Sequence, residues 1–180
     1  MLSNWEKSFN LVIAHEGGFS DDPRDNGNKL PDGRPGSTML GCTQANWEAF
    51  IGRKVTHDEM RRLTKDDVKP LYKKNYWDAV KGDLLCAGLD YAAFDFAINA
   101  GPLRSRKLIQ KSLGVTVDGI FGPMTLKAIK ESNGADLIEK FSKEKEDYYR
   151  SLDGFPIYGK GWLRRVAEVK TTATQLMLTA

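Results

Sequence analysis

No apolar run in this sequence approaches the length of a membrane span. The longest near its start, Leu11-Val12-Ile13-Ala14, is bounded by Asn10 and His15. A signal-peptide core needs about 7–15 apolar residues and a span about 20. The reading is therefore a leaderless chain made in the cytoplasm, without stable membrane insertion. Charge of one sign is also lacking: 27 Lys and Arg against 24 Asp and Glu leave a formal +3, too weak for a protein that coats nucleic acid. Cysteine and histidine are scarce, at two each. A chain of 180 residues buries roughly 70% of its unfolded surface and needs no disulfide to hold together, so Cys42 and Cys86 need not be structural. No phosphate-cradling glycine loop and no His-Glu-x-x-His zinc pattern occurs. No metal and no cofactor are expected, and the chain is read as a monomer.

What is present is helical periodicity. Ser3-Asn4-Trp5-Glu6 reads as a capping box, and Trp5, Phe9, Val12 and Ile13 follow at helical spacing, predicting a helix to about His15. Residues 17–41 hold six glycines and three prolines, predicting an irregular segment with room for a short hairpin. Thr43, Thr56-x-x-Glu59 and Thr64-x-x-Asp67 read as further helix starts, the last leading into Tyr72, Tyr76 and Trp77. Leu89–Asn99 is dense in apolar residues and predicts a buried central helix, in which Asp95 is conspicuous. Gly101-Pro102 opens the next helix, and others follow at Met124–Lys130, through Leu137–Leu152, and from Trp162 after a Phe155-Pro156 and Gly159–Gly161 loop. The fold class is mainly α, of about seven helices, with a short irregular or hairpin segment near residues 17–42. It is read as one domain over 1–180 with halves 1–90 and 91–180.

Carboxylates are the chemistry that the inventory leaves. Glu16 sits where the first helix stops, an end whose partial negative charge disfavours another anion, so its placement calls for a reason. Phe19 is apolar and near enough to desolvate it, as a general acid working near neutral pH requires. Gly17-Gly18 would let a polysaccharide approach the backbone closely. Asp25, nine positions on, lies in a polar loop where it would stay ionised. A frayed helix end for Glu16, a turn cap for Asp25 and a helix N-cap for Thr43 are the purely structural alternatives.

The ordered motifs His15-Glu16-Gly17-Gly18-Phe19, Asp22-Pro23-Arg24-Asp25, Thr38-Met39-Leu40-Gly41-Cys42-Thr43, Lys73-Lys74-Asn75-Tyr76-Trp77 and Asp95-Phe96-Ala97-Ile98-Asn99-Ala100-Gly101 resemble glycoside hydrolase family 108. Ile109–Gly114, Asp118-Gly119-Ile120-Phe121-Gly122 and Lys160-Gly161-Trp162 are similar to the peptidoglycan-binding segment that usually accompanies that family. The resemblance implies a lysozyme-like fold and cleavage of the β-1,4 bond between N-acetylmuramic acid and N-acetylglucosamine. Bacterial peptidoglycan would be the partner, as for phage endolysins released through a holin pore. It also implies Glu16 as the catalytic acid, assisted by Asp25 with Thr38 or Thr43. Phe19, Tyr76, Trp77, Asp95 and Asn99 are expected toward the substrate, with Asp95 and Asn99 bonding loop backbone beneath it. This chain departs from the family in the longer stretch Asn28–Pro35 and in Met39, Leu40 and Cys42. A lytic transglycosylase and a non-catalytic peptidoglycan-binding module are the alternative functions.

Overall fold

A computed structural model describes residues 4–180. Among them are nine α-helices and one two-stranded antiparallel sheet. Thr43, Thr56 and Thr64 each cap a separate helix, so the count among the described residues is nine against an expected seven or so. Ser3, the expected N-cap of the first helix, lies outside the described residues. The contacts sort the chain into two compact units, Phe9–Lys74 on the one hand, and the chain through Ser8 with Asn75–Ala180 on the other.

In the Phe9–Lys74 unit, α1 (Trp5–Ile13) contributes Phe9, Val12 and Ile13 to the core. Strands β1 (Thr38–Met39) and β2 (Cys42–Thr43) form a hairpin in which Thr38 faces Thr43 and Met39 faces Cys42. Three short helices follow, α2 (Gln44–Ile51), α3 (His57–Arg61) and α4 (Lys65–Tyr72). Thr56–Glu59 and Thr64–Asp67 both close reciprocal capping boxes, which satisfy the otherwise orphaned first N–H groups. The long Asn28–Pro35 stretch is fastened to α2. Arg34 donates through both terminal nitrogens to Glu48 at 3.1 and 2.6 Å, and Glu48 also accepts from Gln44 and the Val55 N–H.

The other unit is built on α5 (Leu89–Ala100), buried on every side from Leu89 to Ala97. Around it pack α6 (Pro102–Leu113), α8 (Gly134–Arg150) and α9 (Phe155–Leu178), while α7 (Pro123–Glu131) packs on α6. Buried Gln110 of α6 holds the Asp118–Ile120 loop, donating to Asp118 and to the Ile120 carbonyl and accepting from the Gly119 N–H. The last helix starts at Phe155, not at Trp162. Pro156 lies in its first turn, where no N–H is required, and Gly159 is packed rather than helix-breaking: a Cβ there would stand 2.7 Å from the Phe155 ring.

Asp95 is 1% exposed and ion-paired to Lys145 of α8 at 2.6 Å and to Arg165 of α9, whose Nε lies 3.1 Å away. Burial opposes its ionisation, but the two cations outweigh burial and hold the carboxyl below the usual range. A group whose folded pKa is depressed stabilises the fold above its unfolded value of about 3.9, and loses that contribution as pH falls through the folded value. Asp95→Asn leaves two cations without their anion and should cost about 3–5 kcal/mol at pH 7 in urea denaturation. The difference from wild type should shrink as pH drops below 4, and a difference independent of pH would contradict this account.

Candidate active site

α1 ends at Ile13, and the next turn is tighter. The His15 and Glu16 N–H groups bond back to the Val12 and Ile13 carbonyls at 3.0 and 3.2 Å. That turn brings half-buried Glu16 onto the β1–β2 connection. The connection is two residues long, with Leu40 at φ 51° and Gly41 at φ 73°, the pair of left-handed residues that defines a type I′ hairpin. A Cβ on Gly41 would overlap the Glu16 carboxylate and stand 2.7 Å from the Tyr72 hydroxyl. Only glycine lets the acid lie against this turn. Leu40 is an unusual occupant of the left-handed region, which costs a non-glycine residue roughly 1–2 kcal/mol. Its carbonyl accepts from the Tyr72 hydroxyl at 2.9 Å, which helps hold the turn in place.

The remaining polar side chains gather around the same hairpin. Ser20 pairs with Thr38 through two backbone bonds, at 2.9 and 2.8 Å. The Thr38 hydroxyl donates to Oδ1 of buried Asn28 at 2.8 Å, and Asn28 donates in turn to the Asp22 carbonyl. Asp25 accepts from the Gly27 N–H at 2.8 Å and caps the 3-10 turn Asn26–Asn28. Thr43 caps α2 by accepting from the Asn46 N–H. A Cβ on Gly27 would stand 3.2 Å from Asp25 Oδ1 and 3.3 Å from the Thr43 methyl, so both flank the same glycine. Asp25 is exposed. Phe19 is half-buried, with the Arg61 guanidinium 4.3 Å over its ring.

Glu16, Phe19, Asp25, Thr38 and Thr43 thus fall in the Phe9–Lys74 unit, and the other expected residues do not. Trp77 is fully buried: its Nε1 donates to Asp83 at 2.9 Å and its ring meets Trp5 and Phe94 edge-on, so it presents no face to a sugar. Tyr76 is half-buried in a π-helical turn, Lys73–Trp77, that follows α4. Asp95 pairs with Lys145 and Arg165, and exposed Asn99 donates to the Asp95 carbonyl of its own helix. Both are expected to support a loop, and among the described residues neither bonds loop backbone. Cys42 is buried, which pushes its thiol up to about 12 and leaves no thiolate for nucleophilic attack at neutral pH. Tyr72 escaped the sequence reading, because a tyrosine at an apolar helical position reads as core until its hydroxyl partner, 32 residues away, is known.

The arrangement offers one carboxyl group held by a helix end and a glycine turn, and a second that flanks Gly27 together with Thr43. It suits acid catalysis on a bond with a basic leaving oxygen. The family model described as Glycosyl hydrolase 108 matches residues 9–101. The solved structure of Brucella abortus SagA is 37% identical, with a TM-score of 0.83, over 97% of this chain and 95% of that one. No curated protein matches the sequence.

Tyr72→Phe removes the bond that holds Leu40. It should lower stability by about 1 kcal/mol and speed amide hydrogen exchange across Leu40–Thr43. Unchanged exchange there would show that the hydroxyl does not hold the turn.

Proposed function

We propose that this chain, a member of the glycosyl hydrolase 108 family and hence a peptidoglycan hydrolase, is an N-acetylmuramidase whose general acid is Glu16. The observation that carries the reading is the lodging of the Glu16 carboxylate on Gly41, beside the Tyr72 hydroxyl. In this reaction Glu16 gives its proton to the glycosidic oxygen as the bond from muramic acid C1 breaks. Asp25, with Thr38 or Thr43, stabilises the oxocarbenium-like centre or orients the water that attacks it. Both hydroxyls already have a protein partner, Thr38 donating to Asn28 and Thr43 accepting from the Asn46 N–H. The family model ends at residue 101. Beyond it we assign the Gln110-braced Asp118–Ile120 loop to holding peptidoglycan, on the motif resemblance.

A positioned general acid contributes roughly 10²–10⁴-fold to rate. Glu16→Gln should lower kcat on purified peptidoglycan by that factor while the protein stays folded, and activity within tenfold of wild type would refute the assignment. Mass spectrometry of the wild-type digest should find reducing muramic acid ends. Anhydro-muramyl ends would identify a transglycosylase instead, and the absence of new ends would identify a binding module.

A further inference from the structure

We propose that Phe19 and Arg61 form a subsite for a substrate carboxylate, reached from Glu16 across the bare backbone of Gly17 and Gly18. The proposal rests on the reading of Glu16 given above. Its first support is what these glycines lack. Neither has a left-handed φ, and no atom comes within 4 Å of where a Cβ on either would stand. Gly41, by contrast, is required by both its φ and its neighbours. Glycine costs conformational entropy relative to alanine, so where neither backbone nor packing calls for it, what it supplies is open surface. That surface lies between the acid and Phe19, whose α-carbons are three residues and at most roughly 11 Å apart.

The second support is the platform at the far end of this strip. The Arg61 guanidinium stacks 4.3 Å from the Phe19 centroid, and the His57 ring meets Phe19 edge-on at 6.3 Å. His57 is itself placed by a 3.2 Å contact between Nε2 and the Pro35 carbonyl. Arg61 therefore stands pre-ordered although its side chain is 56% exposed. Its ion pair among the described residues, from Nη1 to Asp58 at 3.5 Å, is exposed on both sides, so it contributes little. A planar guanidinium with donors to spare, fixed on an aromatic face, suits bidentate capture of a carboxylate. Peptidoglycan supplies carboxylates from two sources, the peptide stem and, where the stem has been removed, the lactyl group of muramic acid.

The test is calorimetry in a Glu16→Gln background with three probes: a disaccharide-tetrapeptide muropeptide, the same disaccharide without peptide, and chitotetraose, which has no carboxylate. Arg61→Ala should weaken one carboxylate-bearing probe by roughly tenfold and chitotetraose by less than about twofold. Loss on the muropeptide alone assigns the stem carboxylate, and loss on the peptide-free disaccharide alone assigns the lactyl group. Arg61→Lys, which keeps the charge but not the fork, should fall between. Equal loss on all three probes, or loss on none, overturns the proposal. Gly18→Val should unfold like wild type yet bind all three probes more weakly, and unaltered binding would show that the strip is not crossed. Failure of the Glu16 assignment would appear separately, as retained turnover by Glu16→Gln on intact peptidoglycan.

Discussion

Glu16 reaches its position because two unrelated pieces of local geometry meet. The first helix ends in a tight turn that carries the carboxyl outward, and a two-residue hairpin connection presents a glycine with no side chain in the way. Gly41 answers two demands at once, the left-handed backbone of a type I′ turn and the close approach of a carboxylate. Leu40 beside it meets the first demand only under strain, and the Tyr72 hydroxyl on its carbonyl helps keep it there. The placement of the acid thus depends on residues from three separate stretches of the Phe9–Lys74 unit.

The rest of that unit extends this logic outward from the hairpin. Thr38 is anchored to buried Asn28, and Asn28 to the loop that carries Asp25. Buried Gln44 accepts from the Ser37 hydroxyl and donates to Glu48, which Arg34 grips from the Asn28–Pro35 stretch. The longer loop that sets this chain apart is therefore tied by charge-assisted bonds to the helix that Thr43 caps. In the other unit the equivalent role falls to Asp95, a buried anion shared by two cations.

The sequence disclosed what is encoded locally. The Thr56 and Thr64 boxes, the buried Leu89–Asn99 helix and the arrest of the first helix before Gly17 all follow from spacing within one or two turns. Sequence resemblance pointed to Glu16, and its family is the one the chain belongs to. What stayed hidden depends on long-range partners. Asp95 was visible as an oddity, but its cations lie 50 and 70 residues away, so a role in supporting a loop was the natural and mistaken reading. Trp77 is expected toward the substrate, yet it is sealed in by Trp5, Phe94 and Gly82. Gly159 looked like a breaker because its function is to admit the Phe155 ring, a packing role that composition does not express.

The central claim is that the carboxyl of Glu16 works because Gly41 leaves room for it, and Gly41→Ala tests this most directly. A Cβ at this position should leave the chain folded, at a cost of about 1–2 kcal/mol for the left-handed backbone, while displacing the acid. Hydrolysis of purified peptidoglycan by the folded variant should then fall to the level of a chain lacking the Glu16 carboxylate. Turnover equal to that of wild type would contradict the account.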